Sequence, residues 1–297
     1  MSPVSAQAAP SPPPGSAAST RGWRAELALE LAARGPKTSL VSRRHQGPLV
    51  VQRPFYPESS GCCHLYLVHP PGGVVGGDEL ELSLTLHPEA QALVTTPAAT
   101  KLYRSNGTAA RVSQRLLAGR DSRLEWLPQE TIAFSGCHAC LSTRVELEAG
   151  AAFIGSEVLC LGRPAAQELF DSGRLTQRFD VWRQGTPVLS EVLRLSGAGP
   201  ELSEPWGLNS CTTVATLVAL GRQAASAQEL SALATQVRSA LPQVAGKSSV
   251  TVVSEAIVCR FLGTGAQAAL FVLRRAWELL RPELFGCPAV RPRIWAT

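Results

Sequence analysis

Between His69 and Asp78 the chain reads His-Pro-Pro-Gly-Gly-Val-Val-Gly-Gly-Asp, and it runs straight on into Leu80-Glu81-Leu82-Ser83-Leu84-Thr85-Leu86. No other stretch limits the possible folds as much. Glycine costs backbone entropy and is used where the chain needs φ > 0 or must lie close to another backbone. Consecutive prolines block a helix and push the residues before them into extended geometry. The ten residues therefore specify a rigid, shaped turn that presents the Asp78 carboxylate at its end. The strict apolar–polar alternation that follows is the pattern of a strand buried on one face. An ordinary glycine-rich entry to a strand, with Asp78 as its cap, is the plainer reading of the same residues.

The same period of two recurs from about Trp23 to about Arg194. It is seen in Leu124-Glu125-Trp126-Leu127, in Val145-Glu146-Leu147-Glu148 and in Leu175 to Trp182, with Gly, Pro and Asp between the runs. A large all-β body is expected, as a sandwich, barrel or solenoid, although no strict repeat of fixed length marks a solenoid. The last third changes character. Ser226-Ala227-Gln228-Glu229 is a capping box, Leu230, Leu233, Val237 and Leu241 follow at helical spacing, and Pro242 stops the helix. Val250 to Leu262 reads as one strand. Ala266 to Leu280 reads as a second helix, with Leu270, Leu273, Trp277 and Leu280 on one face and Pro282 ending it. These signals divide the chain into a Pro/Ala/Ser-rich tail at 1–22, expected to be disordered, a β-rich body at 23–200, and a mixed α/β part at 201–297 packed on that body.

Composition excludes several function classes. Of 297 residues, 45% are apolar and 17% charged, so charge is sparse for a soluble surface and a surface covered by protein partners is expected. The net charge is +5, but the arginines are scattered and form no basic stripe with interleaved aromatics, which argues against nucleic acid. The first residues lack the basic start and apolar run of a secretory leader, and no run is long and apolar enough to span a bilayer. Eight cysteines in a chain read this way are expected to be reduced cytoplasmic thiols, with Cys160, Cys211 and Cys259 buried in apolar runs.

Catalytic signatures are absent from the sequence. There is no nucleophile elbow and no zinc-protease helix. Gly246-Lys247-Ser248 lacks the earlier glycine of a phosphate loop and lies between a helix and a strand rather than the reverse. Cys137-His138-Ala139-Cys140 could grip a borderline divalent ion, but no second Cys-x-x-Cys completes a four-ligand site, and Cys62-Cys63-His64 is too compressed to complete it. His69 in the shaped turn is either a ligand or a satisfied structural group. Lys101, Arg104 and Glu130 sit at proline-marked strand ends, where they serve either a site or solvated ion pairs.

Several motifs together resemble one family. They are Arg53-Pro54-Phe55-Tyr56-Pro57-Glu58, the His69 to Asp78 turn, Thr95 to Ser105, Trp126-Leu127-Pro128-Gln129-Glu130, Glu157 to Ala165 and the terminal Arg291-Pro292-Arg293-Ile294-Trp295. In order and spacing they resemble the UreD family of urease accessory proteins, from about Trp23 to the end. The resemblance implies a mainly β fold, a two-layer, β-helix-like stack of strands with a C-terminal part containing two helices. It implies a cytoplasmic, non-enzymatic role in urease maturation. Such a protein binds apo-urease and, with UreF and the UreG GTPase, delivers nickel to the dinickel centre. Nickel(II) would be in transit, with no permanently bound cofactor. A cation in transit needs ligands that release it, which favours carboxylates and carbonyls over thiolates. Buried acids are costly unless paired or cation-bound. Asp78, Glu130 and Glu157 are therefore the expected nickel-path acids, with His69, Lys101, Arg104 and Arg163 as supporting motif residues. Replacing both Cys137 and Cys140 by Ser is expected to leave activation largely intact. The competing reading is a hydrolase built on paired carboxylates, Asp78 and Glu130.

Overall fold

The computed structural model describes residues 22–223 and 225–296, so the proline-rich tail, apart from its last residue, lies outside the described residues. Two sheets stack face to face, and helices cover the second. The first sheet runs in the order β14 (Thr186–Ser196), β13 (Arg174–Arg183), β11 (His138–Leu147), β8 (Ala110–Ala118), β5 (Glu79–Leu86), β1 (Arg24–Arg34), β2 (Lys37–Gln46). The second runs β16 (Lys247–Val253), β17 (Ala256–Gly263), β15 (Thr213–Leu220), β12 (Ala152–Leu161), β9 (Arg123–Trp126), β6 (Gln91–Thr95), β4 (Cys63–Val68), β3 (Val50–Val51). Two short strands, β7 (Thr100–Leu102) and β10 (Thr131–Ala133), pair beside it.

The path from β4 to β13 alternates between the sheets. β5, β8, β11 and β13 stack in parallel in one layer, while β4, β6, β9 and β12 stack in parallel in the other. This is the stacked-strand, solenoid-like body expected. Its coils are unequal: Leu80 stacks on Val112, Val112 on Leu141, and Leu141 on Gln177, so no fixed repeat shows in the sequence. β15 pairs with β12 and β17 with β15, so the second sheet is continuous from the stacked body into the C-terminal residues.

The alternation sorts side chains into two cores. Leu27, Leu29, Leu84, Val145, Phe153 and Val181 fill the space between the sheets. Ile154, Leu217 and Cys259 point the other way, onto α2 (Ala227–Ser239) and α3 (Ala266–Phe285). A third helix, α1 (Pro200–Ser203), is a single turn. The capping box at Ser226 forms as expected, with the Glu229 N–H donating to Ser226 Oγ and the Ser226 N–H donating to the Glu229 carboxylate.

Three expectations are corrected. Residues Val250–Leu262 are a hairpin, with Val253 paired to Ala256 across Ser254 and Glu255. That loop carries no Asn-Gly or Asp-Gly signal, and Ser254 takes φ +53°. The second helix does not end at Pro282 but continues to Phe285, where Gly286 closes it at φ +69°. A proline inside a helix forfeits a hydrogen bond, and the turn that carries it is held instead by the neighbouring Arg281. All eight cysteines are free, though Cys211 is half-buried rather than buried.

Candidate functional site

The glycine-rich turn folds as a stitched loop. The Val74 N–H donates to the Lys101 carbonyl at 2.7 Å, and the Tyr103 N–H donates to the Val74 carbonyl at 2.8 Å. A Cβ at Gly73 would lie 2.2 Å from the Tyr103 ring, and Gly77 sits at φ +91°, so both positions require glycine. Asp78 is buried, and both its oxygens are occupied. Oδ1 accepts from the Trp23 N–H at 2.8 Å and Oδ2 from the Val75 N–H at 2.9 Å. The acid at the end of the turn thus caps it and ties in the start of β1.

Behind the turn a cavity of about 510 Å³ opens between the sheets. Its polar lining includes His69, Lys101, Gln114, Gln177 and Glu157, together with several Thr and Ser hydroxyls, set among Leu, Val, Pro and Ala. Glu157, on β12, is the carboxylate of this lining. Protein surrounds it, and the surface it retains faces the cavity. Burial pushes its carboxyl up to about 7; Thr143 and Gln177 oppose this and the charge of Glu191 adds to it. Gln177 donates Nε2 to Glu157 at 2.5 Å, and Thr143 donates to Gln114 at 2.5 Å. Among the described residues, no cation forms an ion pair with Glu157, whose hydrogen bond comes from the Gln177 amide. Glu191, on β14, is different: it accepts from Arg260 Nε at 2.9 Å and from Thr216 Oγ1 at 3.2 Å. Glu157, Thr216 and Arg260 are cross-strand partners on one rung of the second sheet. A polar seam therefore crosses an otherwise apolar core.

Of the residues singled out in the sequence, His69, Lys101 and Glu157 meet at this cavity. Burial lowers the His69 pKa while the charge of Asp78 works the other way. The rest lie elsewhere. Glu130 is half-buried near Arg274 and Cys160, whose side chain packs on the helix side of the second sheet. Arg104 is exposed. Arg163 is exposed, ion-paired to Glu168 and stacked 4.9 Å over Phe134. Gln114, Thr143, Gln177 and Glu191 were not anticipated. Each is a polar residue at an inward position of a strand whose other inward residues are mostly apolar, as in Leu189, Glu191, Leu193, Leu195, and that break in phase was the available signal.

Among the described residues, one group of three His, Cys, Asp or Glu side chains brings its ligand atoms within 4.8 Å of one another: Glu58, Cys62 and His64. Cys137, His138 and Cys140 do not converge in this way. Burial raises the Cys137 thiol to about 11, and His138 Nδ1 lies 3.3 Å from the Gly107 carbonyl. No helix among the described residues is long and apolar enough to cross a membrane.

The sequence that builds this architecture matches a known family. The model of the UreD urease accessory protein family matches residues 23–296. Urease accessory protein UreD 2 of Brucella anthropi is 44% identical over 277 residues, covering 93% of this chain and 99% of the relative. Urease accessory protein UreD of Marinobacter nauticus is 45% identical over 285 residues, covering 93% and 94%, and that of Citrobacter koseri is 42% identical over 280 residues, covering 94% and 93%. The chain belongs to the UreD family of urease accessory proteins.

Proposed function

We propose that this chain is a non-enzymatic scaffold of urease maturation that acts in the cytoplasm and lets nickel(II) pass through the cavity between its sheets, with Glu157 as the ligand midway. In this reading it holds apo-urease and works with UreF and the UreG GTPase. The observation that carries it is the chemistry of the cavity wall. One carboxylate, poised near neutrality, is set among amides and hydroxyls, with a single imidazole, His69, and a single ammonium, Lys101, on the same wall. Such oxygen donors hold a divalent ion loosely, whereas a cluster of thiolates or imidazoles would trap it. A carboxyl with a pKa of about 7 can exchange its proton for a cation and take the proton back when the ion leaves. The competing hydrolase reading gains no support from the placement of its two acids. Asp78 spends both oxygens on main-chain N–H groups, and Glu130 lies near Arg274.

The test is co-expression of urease, its accessory proteins and either the natural chain or Glu157→Leu in nickel-containing medium. The expected result is a several-fold fall in nickel per urease, with co-purification of urease and UreF unchanged. Full nickel loading with Glu157→Leu would remove the cavity from the mechanism.

A further inference from the structure

We propose that the outer face of the first sheet is a docking surface for a protein partner with an acidic surface, anchored by a partner carboxylate seated between Arg115 and Arg144. Arginines that lie far apart in the sequence are gathered here by the stacking of the coils. β8 presents Arg111 and Arg115, β11 presents Arg144, β13 presents Arg174 and Arg178, and β14 presents Arg194, all exposed. Strand alternation turns the residues between them into the core. On this face the same four strands set only two carboxylates, Glu146 and Asp180, against the six arginines. The excess is close to the whole net charge of the chain, +5. The acids of β1 and β5, Glu26, Glu30, Glu79 and Glu81, lie to one side of the patch. An acidic partner therefore registers over β8 to β14 and is turned away from β1 and β5.

Three observations favour a partner over a merely solvated face. First, the face is bare. β1, β5, β8, β11 and β13 run parallel, and parallel sheets are as a rule covered on both faces. Helices cover the second sheet, whereas among the described residues no long helix lies on the first. Seven strands about 4.8 Å apart and about eight residues long make a surface of roughly 800 Å², the share that one partner gives to a standard interface. Second, the charges are arranged against one another. Arg115 and Arg144 are neighbours on one rung, where like charges repel. Arg144 donates Nε to Glu146 at 2.7 Å and stacks 4.6 Å over Trp182, and its two Nη groups make no hydrogen bond among the described residues. Arg111, Arg115, Arg174 and Arg194 form no ion pair among them at all, although Glu79 shares a rung with Arg111. Third, a surface hollow of about 470 Å³ opens between Arg115 and Arg144, with Ser83 and Thr85 on its wall. Two guanidinium forks beside hydroxyls suit a carboxylate, and a carboxylate seated there relieves the repulsion between them. Nucleic acid fits less well, because Trp182, the aromatic ring of this face, lies beneath Arg144 and offers no platform for bases. The proposal rests on the scaffold reading above only for the choice of proteins in the second half of its test.

The full chain is first titrated with a poly-L-glutamate peptide of about 20 residues, at about 50 and about 300 mM NaCl. Binding is expected at low salt, weaker by about tenfold or more at high salt, and lost in Arg115→Glu/Arg144→Glu. Arg43→Glu/Arg120→Glu takes the same charge from exposed positions off this face and should bind within about twofold of the natural chain. All four positions are exposed, so both variants should keep the urea midpoint of the natural chain. Purified apo-urease, UreF and UreG are then titrated separately. One of the three should lose about tenfold or more in affinity for Arg115→Glu/Arg144→Glu, with the other two unaffected. Equal binding of polyglutamate by the two variants, or equal binding of all three proteins to the natural chain and Arg115→Glu/Arg144→Glu, would overturn the proposal. So would a DNA duplex that binds this face more tightly than polyglutamate, or self-association of the natural chain that Arg115→Glu/Arg144→Glu abolishes. None of these readouts is nickel in urease, so the docking face and the passage through the cavity fail separately.

Discussion

Two buried carboxylate sites lie on opposite faces of the second sheet, and they are treated in opposite ways. On the helix face, Glu58 and Glu125 converge on Arg281, and the Trp277 Nε1–H donates to Glu125 at 2.5 Å. Burial alone would raise Glu58, but the hydrogen bond from His64 and the charge of Arg281 pull its pKa below the usual range. On the inner face, Glu157 has an amide and a hydroxyl for company, and its pKa is raised to about 7. The first arrangement fixes a helix to a sheet. The second leaves an acid whose charge no guanidinium compensates, and under the proposed passage of nickel that is the acid that takes the cation. Burial is common to both; the presence or absence of a guanidinium separates structure from proposed transport.

The sharpest way to break the comparison is to remove the guanidinium. Arg281→Met leaves Glu58 and Glu125 buried without their partner, a situation that costs about 3–5 kcal/mol. The loss should appear as a lowered midpoint in urea denaturation. It should be partly restored by adding Glu125→Gln, which removes one of the stranded charges. A change below about 1 kcal/mol would mean that Arg281 is dispensable and that α3 is held by apolar contacts alone.

The mirror experiment on the other face should have the opposite sign. Glu157 has a folded-state pKa of about 7 against an ordinary value of 4.5. Below pH 4.5 it is protonated in both states and costs nothing. Between 4.5 and 7 the unfolded chain ionises first, so native stability falls, and above 7 the penalty levels off at about 3 kcal/mol. Glu157→Gln should therefore stabilise the protein by up to that amount at pH 8 and hardly at all at pH 4, as read from urea midpoints at the two pH values. The same substitution should lower nickel delivery. A variant that gains stability while losing function would separate the two faces cleanly, and a pH-independent effect would refute the uncompensated acid.

How much of this contrast could be read in the sequence depends on what each residue needs. The strands at Leu80–Leu86 and Leu175–Trp182 and the capping box at Ser226 follow from local period and local hydrogen bonding, and they form where expected. The Ser254–Glu255 hairpin was missed because its turn lacks the residues that announce one, and the passage of α3 through Pro282 because its support is tertiary. Glu157 was legible through its motif. Its environment was not, since Gln177 and Glu191 reach it only through the stacking of coils of unequal length. The Arg281 cluster is less legible still. Glu58, Glu125 and Arg281 are far apart in the chain, and the only local hint was a charged residue on the apolar face of a helix.

Asp78 tests where a motif acid stops being a cap. Asp78→Ala removes an acceptor from two main-chain N–H groups. Their owners, Trp23 and Val75, are exposed residues, so water can replace the lost partner in part. The expected cost is about 2 kcal/mol, with Asp78→Asn losing about half of that because one oxygen still accepts. If nickel loading of urease falls in step with stability across the two variants, Asp78 supports the turn. A loss of loading in Asp78→Asn at nearly natural stability would make it a ligand.

The smallest effect is expected at Ser226, and the reason again lies in a comparison, this time between the two long helices. α2 begins with a capping box, so its first turn is satisfied locally. α3 begins at Gly265 with no side-chain cap and draws its definition from Arg281, four turns further on. Ser226→Ala should cost about 1 kcal/mol, seen as a small drop in the urea midpoint and as faster amide exchange confined to the first turn of α2. The loss cannot grow much larger, because Leu230, Ala234 and Val237 keep the rest of the helix on the sheet. A loss of several kcal/mol would show that α2 also depends on its end rather than its face, and the distinction between a locally capped helix and a charge-anchored one would then fail.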